Sequence, residues 1–549
     1  MAKSSTNRQA KIFILITSIV MFSVLVRFSP IIDYSPEPIA YAGGAYYGIN
    51  YAMDTGHFLS PAEAESKIYS PEQGGSNIFA GSLIESAEHP ISPMLSISVL
   101  KAAGLEQSTW QTEIATSLIY TFPILFIAYS ILNSISKKRD DEQFNSRLPI
   151  IYLGIGLLYS QLASTALVSQ QGSFGWIFFL YPIYFLLIRR AKEVRFRVIS
   201  LLFLALLPAA YFTGASFALL WFSIIVLPFW RGREDNRAVW RVFLFFGLFY
   251  VLYSIFISLG RTQILANIGE NLIDTFKSGF PHSEPTYLVL PSEYLSSGTS
   301  LLNKMKNLTA AIFVAAPVVF FLIRSAGKRS DHFTGERTVV AGIIALPIMT
   351  LLLFVWLGAL GIGRIPEYGS VISVICIACL IPTMKKQRRK FIASIAVLAI
   401  LSSTYVYVTD ENIANRFITT SEDGAAKWLM STSDSEKTIF TDQRLTGVFV
   451  ASGFLNATGV YEKGSVNETI NELNAIYYGN DIYQSIRVIS QMNCSYLFFS
   501  EQMTKETPSI FGYNYHFKPS PSNFIEKYMS NANFIAICDN GKATVLALE

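Results

Sequence analysis

Charge is scarce in this chain. Of its 549 residues only 15% are Asp, Glu, Lys or Arg, while 51% are hydrophobic, and mean hydropathy is +0.38. That balance excludes an ordinary soluble globular protein and points to repeated membrane spans. A net charge of +4 offers no basic excess to a nucleic-acid backbone, so nucleic acid is not a partner. Cysteine is also rare: Cys376 and Cys379 lie in an apolar segment, Cys494 and Cys538 near the C-terminus. None shows a zinc-ligand spacing, and the first pair reads as packing or lipid-facing residues. No small-x-small cleavage site follows the first apolar run, 12–26. A retained span is therefore expected there rather than a signal peptide.

The few basic residues are clustered, and their placement gives the topology. Lys3, Arg8 and Lys11 precede the first run, which puts the N-terminus in the cytoplasm and the long loop 30–112 outside. The run 114–135 ends at Lys137, Lys138 and Arg139; 148–169 returns outward; 174–188 stops at Arg189 and Arg190. The stretch 198–230 would reach about 50 Å as one helix, against about 30 Å of hydrocarbon. A break at Thr213–Ser216 is expected, because two spans bring Arg231, Arg233 and Arg237 inside. A second outer loop, 261–305, separates the runs 242–259 and 308–323. Further runs at 339–360, 371–384 and 391–408 complete a polytopic α-helical membrane protein of about eleven spans, N-in and C-out. The module 1–408 is then followed by an extracytoplasmic domain, 409–549. Here no run is long enough to span. Residues 425–430 read as helix and 438–440, 496–499, 534–537 and 542–548 as strands, with Asp539-Asn540-Gly541 as a hairpin turn. Cys494 and Cys538 share this compartment, as a disulfide or as two buried thiols.

Polar groups that could carry chemistry gather in the first loop: Asp33, Glu37, Asp54, His57, Glu88 and His89. Asp33 reads either as a general base or as an Asx-turn residue among prolines. Glu37 sits between Pro36 and Pro38 and reads as solvated loop, and Asp54 as a helix-end residue. By ligand type, Asp33, Glu88 and His89 would suit a divalent cation, although no ligand spacing calls for one. Arg27 and Arg364 break the cytoplasmic bias of the basic residues. Their forks match phosphate oxygens, with snorkelling to headgroups as the alternative.

These pieces resemble the GT-C membrane glycosyltransferases. Arg27-Phe-Ser-Pro30 with Asp33, then Ala45-Tyr46-Tyr47, Ala52 and Thr55-Gly56, is similar to the opening of that family's first loop. Glu88-His89-Pro90 with Pro93-Met94-Leu95 resembles its His-Pro-Pro-Leu motif, and Gly363-Arg364-Ile365-Pro366-Glu367-Tyr368 its late Arg…Tyr turn. The resemblance implies a sugar carried on a polyprenyl phosphate. The acceptor would be an envelope lipid, glycan or protein, and the chemistry would take place at the outer membrane face. It implies Asp33 as the base, Arg364, Arg27 and His89 around the donor phosphate, and Glu37, Glu88, Glu293, Tyr294 and Tyr368 near the acceptor. The positions before the paired tyrosines, where the family often has an acid, are Gly43, Gly44 and Ala45: either Asp33 takes that role, or the chain is a divergent, non-catalytic member. Oligosaccharyltransferases of the same superfamily carry a Trp-Trp-Asp-Tyr-Gly motif that is absent here, which weakens en bloc glycan transfer. A lipid-linked glycan transporter and a non-catalytic membrane scaffold are the remaining alternatives.

Overall fold

Within 30–112, read as a loop, the chain folds into helices. These are α1 (Ala40–Thr55), α2 (Pro61–Ile68) and α3 (Ile91–Ala103), with β1 (Tyr69–Ser70) and β2 (Gly75–Ser76) paired antiparallel between the last two. The structure is a computed structural model. It describes residues 40–70, 75–76, 87–105, 193–210, 212–226, 234–257, 418–457, 474–505 and 520–548, with scattered single positions elsewhere. Tyr46, Ile49 and Ala52 recur every three residues along α1 and are buried, which gives the helix one packed face. The helix ends where the Gly56 amide donates to Ala52 O at 3.0 Å, so Asp54 is the helix-end residue expected from the sequence. Helix α2 starts with Pro61 in its first turn. A reciprocal cap joins Ser60 and Glu63: the Ser60 amide donates to Glu63 Oε2 (2.7 Å) and the Glu63 amide to Ser60 Oγ (3.2 Å).

The apolar run 198–230 is broken earlier than expected. Helix α4 (Val194–Ala210) ends and α5 (Phe212–Val226) begins before the Thr213–Ser216 segment, which lies inside α5. Pro208 lies in the last turn of α4. It has no amide hydrogen for the carbonyl four residues back, and its ring crowds that carbonyl. A third helix, α6 (Glu234–Phe256), packs against both. Its buried face carries Val242, Phe246, Tyr250 and Tyr253, and Tyr250 OH lies 2.7 Å from Ser216 Oγ. Its opposite face is exposed and apolar, including Leu244, Phe245, Leu248, Leu252 and Phe256 (74% exposed). Among the described residues no helix is long and apolar enough to cross a membrane. Most of the expected spans lie outside the described residues.

Residues 418–548 build a four-stranded sheet in the order β3 (Ile439–Phe440), β4 (Tyr496–Ser500), β6 (Ala543–Leu548), β5 (Phe534–Asp539). Strands β3 and β4 are parallel, and the other neighbours are antiparallel. Helices α7 (Thr420–Thr432), α8 (Gln443–Ala451), α9 (Ile482–Gln491), α10 (Glu501–Lys505) and α11 (Phe524–Met529) complete the unit. The β5–β6 turn is the one expected: Gly541 has φ +77, and Asn540 Oδ1 accepts from the Lys542 and Ala543 amides. The core is aromatic, with Tyr477, Phe499, Phe524, Tyr528 and Phe534 in mutual ring contact. Each such ring contributes on the order of 1.5–3 kcal/mol by burial.

The disulfide alternative is corrected: Cys494 and Cys538 are both free. Cys494 precedes β4, and Cys538 sits on β5 opposite Val545, with the whole of β6 between them. Two strand spacings, about 10 Å, exceed the Cα separation that a disulfide tolerates. Burial pushes the Cys494 thiol up to about 12, so it is inert as a nucleophile. Cys376 is a buried packing residue rather than a lipid-facing one.

Candidate functional site

The turn Glu88-His89-Pro90 joins the first loop to the helical bundle. His89 is 2% exposed, and its Nδ1 lies 3.0 Å from the carbonyl oxygen of Pro208. Carbonyls in the last turn of a helix have no intrahelical partner, so the imidazole fills a vacancy at the end of α4. A carbonyl can only accept, which puts a proton on Nδ1 and, in the neutral ring, the lone pair on Nε2. One residue earlier, Tyr253 OH on α6 donates to the backbone carbonyl of Glu88. Two consecutive loop residues are thus fastened to two bundle helices. Pro90 then begins α3, which closes at Gly104 with its amide donating to Leu100 O and Lys101 O.

The other attachment of the loop is to the sheet unit. Helix α1 lies against α8: Tyr46 (4% exposed) packs on Ala451, and Asn50 Nδ2 donates to Ala451 O at 3.5 Å. Val450 is fully buried among Leu59, Ala64 and Leu83, with Tyr47 and Tyr51 against the same cluster. Gly453 ends α8 with φ +95, which favours glycine by itself, and a Cβ there would lie 3.8 Å from the Tyr47 ring.

At its N-terminus α8 is fixed by a buried ion trio. Arg444 is 1% exposed and donates from Nε and Nη2 to Asp442 Oδ2 (2.8 and 2.7 Å) and from Nη2 to Glu422 Oε1 (3.2 Å). Asp442 also caps α8, with Oδ1 accepting from the Leu445 amide, while Glu422 belongs to the capping box of α7 with Thr419. Burial pushes the Asp442 carboxyl up, and the Arg444 guanidinium opposes that shift. Every carboxylate oxygen in the trio accepts an N–H. The trio links the starts of two helices and has no access to solvent.

Of the expected site residues, Glu88 and His89 lie together in the turn described above. Asp33, Glu37, Arg27, Glu293, Tyr294, Arg364 and Tyr368 lie outside the described residues. For the expected cation trio only Glu88 and His89 are described. Among the described residues no three His, Cys, Asp or Glu side chains gather as metal ligands. Sequence reading missed Pro208, Tyr253 and the whole α1–α8 contact. A proline inside an apolar helical run was a usable signal for the first, whereas nothing local announces the other two.

No protein-family model matches the chain, and no curated protein is similar to it in sequence. Solved structures are similar to it in fold. The apo oligosaccharyltransferase of Archaeoglobus fulgidus superposes with a TM-score of 0.53 at 11% identity, over 89% of this chain and 70% of that one. The same organism's oligosaccharyltransferase AglB, in complex with an inhibitory peptide and a dolichol-phosphate, gives 0.52 at 11% identity over 89% and 69%. The arabinofuranosyltransferase AftD from Mycobacteria gives 0.50 at 11% identity. It covers 97% of this chain, which spans only 41% of that protein.

Proposed function

The chain has the GT-C glycosyltransferase fold, and from that premise we propose that it moves a sugar from a polyprenyl-phosphate donor to an envelope lipid, glycan or protein acceptor. The observation that carries the reading is the fold itself, extending over 89% of the chain. Two features support it. The neighbour AglB was solved with a dolichol-phosphate, a donor-type lipid, alongside a peptide. The outward faces of α4 and α6 are apolar, with Leu202, Leu206, Leu244 and Phe245 exposed. Water is a poor solvent for such a surface and a bilayer a good one. The reading places the chain in the cell membrane with the sheet unit outside.

In this proposal Asp33 takes the proton of the acceptor hydroxyl as that oxygen forms a bond to the sugar's anomeric carbon. The bond from that carbon to the donor phosphate breaks, and the polyprenyl phosphate leaves with its negative charge. Arg364 and Arg27 would hold that anion with their forks. His89, whose Nδ1 is engaged by the Pro208 carbonyl, would stand beside the donor phosphate. Glu37, Glu88, Glu293, Tyr294 and Tyr368 would border the acceptor. No cation is required by this scheme.

En bloc glycan transfer is the second reading, favoured by the likeness to archaeal oligosaccharyltransferase. Against it stands the missing Trp-Trp-Asp-Tyr-Gly motif. Trp428 lies on α7 between Lys427 and a fully buried Leu429, in a helix rather than a tryptophan-rich loop. Mass spectrometry of lipid-linked sugars and envelope glycans, with and without the gene, separates the readings. Loss of one sugar from the glycan fits the first, and loss of a whole glycan from protein fits the second. Accumulation of an intact precursor on its lipid, held on the cytoplasmic face, contradicts both and indicates transport.

A further inference from the structure

We propose that the end of the helical bundle remote from the His89 turn binds the headgroup of an acidic phospholipid. The groups that hold it are the guanidinium forks of Arg195 and Arg197, at the start of α4, and of Arg241, in the first part of α6. The inference rests on the reading that the outward faces of α4 and α6 meet a bilayer.

Helices α4 and α6 pack side by side. Their last turns reach one turn of the loop, Pro208 through His89 and Tyr253 through Glu88, so the two helices run in the same direction. Arg197 precedes Pro208 by eleven residues and Arg241 precedes Tyr253 by twelve. At about 1.5 Å per residue, both stand roughly 16–18 Å from the His89 turn. In the proposed orientation this is the cytoplasmic end, level with the headgroups of the inner leaflet. Beyond the arginines both helices turn apolar at once. Val198, Leu202 and Leu206 recur every four residues along α4 and are 46–57% exposed, and on α6 the exposed face runs from Arg241 into Leu244, Phe245 and Leu248. An acyl chain can lie along that surface while its headgroup reaches the arginines. Arg197 is half-buried, and its Nε is enclosed without a hydrogen-bond partner among the described residues. A buried N–H calls for an acceptor. A phosphodiester supplies one, and guanidinium forks match its oxygens. Arg195, with its side chain 71% exposed, pairs through Nε with Glu193 (2.5 Å). That carboxylate offsets one of the three charges and leaves the end cationic. Trp240, half-buried and stacked on Phe243 with ring centroids 5.7 Å apart, puts an indole next to Arg241, at the depth where bilayers favour one.

The test uses the full chain, purified in detergent and titrated with phosphatidylglycerol or phosphatidylcholine, with bound lipid read by native mass spectrometry. Wild type is expected to hold phosphatidylglycerol the more tightly. Each arginine near an anionic headgroup contributes roughly fivefold in affinity. Arg197→Gln should therefore bind phosphatidylglycerol roughly fivefold more weakly, and the triple variant Arg195→Gln, Arg197→Gln, Arg241→Gln roughly 100-fold more weakly. Arg197→Lys should recover part of the loss, because it keeps the charge without the fork. Arg487→Gln, at an exposed position of α9, should bind as wild type. Should the triple variant not fold, the pair Arg197→Gln and Arg197→Lys decides. Equal affinity for the two lipids overturns the site, and so do wild-type binding by the arginine variants or an equal loss in Arg487→Gln. Displacement of phosphatidylglycerol by inorganic phosphate would mark a soluble anion instead, and displacement by a lower concentration of polyprenyl phosphate would mark the donor; either overturns the assignment. Insertion into phosphatidylcholine vesicles is measured alongside. A chain that stays out of them fails the bilayer reading and this site with it, whereas insertion without lipid preference fails the site only.

Discussion

His89 donates from Nδ1 to the carbonyl oxygen of Pro208, 3.0 Å away, and so ties a turn of the first loop to the last turn of α4. The contact is buried on the imidazole side, so removal leaves an acceptor without this donor in a place water does not readily reach. His89→Ala should lower stability by about 1–3 kcal/mol. Thermal unfolding of the full chain in detergent checks it. A melting temperature equal to wild type would mean that the carbonyl finds another donor at no cost.

The ion trio under α8 makes a larger prediction. Arg444→Met removes the guanidinium paired with two buried carboxylates and should cost about 3–5 kcal/mol. Replacing all three together, Glu422→Gln, Asp442→Asn and Arg444→Met, should recover much of that loss, because the uncompensated charge is gone. Denaturant unfolding of the three single variants and the triple variant distinguishes a charge penalty from simple loss of packing. A triple variant no better than Arg444→Met contradicts it.

Much of this architecture could be read in advance, for physical reasons that differ by element. The strands near the C-terminus were legible because short apolar runs there are punctuated by turn chemistry, as at Asp539-Asn540-Gly541. The break in the long apolar run was legible from length, but its place was misjudged. The small residues at 213–216 drew attention, whereas α4 ends at Ala210, in the turn that holds Pro208. Docking of Tyr46 on Ala451 joins positions about 400 residues apart, and no local period reports such a pairing. Arg444 carries no sequence signal of burial, because one of its two carboxylates is beside it and the other is on another helix. His89 was read from the sequence as a residue of the donor phosphate site. Its neighbour Pro208 shows that one ring nitrogen serves the fold.

Lys527 gives a pH prediction. Its ammonium is half-buried and donates to Gly479 O (2.8 Å), Ser485 Oγ (3.2 Å) and Ile476 O (3.3 Å). Desolvation pulls its pKa down to about 8, against a weaker opposing pull from Asp481. Between that value and the unfolded one, 10.5, the unfolded chain binds the extra proton. Stability due to this group therefore rises with pH across the window. The stability difference between wild type and Lys527→Met should move in favour of wild type from pH 8 to 10.5 and be flat below pH 7. The comparison cancels Cys494 and the buried tyrosines, whose raised pKa values act in the opposite direction above pH 9. A difference that shrinks with rising pH contradicts the assignment.

The most direct test of the account is the transfer rate of Asp33→Asn from a synthetic polyprenyl-phosphate sugar, with Arg364→Ala and Arg364→Lys as companions. Asn keeps the shape of the carboxylate and removes its basicity. Turnover should fall roughly 10²- to 10⁴-fold with donor affinity little changed. Arg364→Ala should weaken donor binding, and Arg364→Lys should restore it only in part, because an ammonium lacks the guanidinium fork. Full activity of Asp33→Asn, at wild-type donor affinity, would contradict the account at its centre and leave the chain a GT-C fold whose chemistry lies elsewhere.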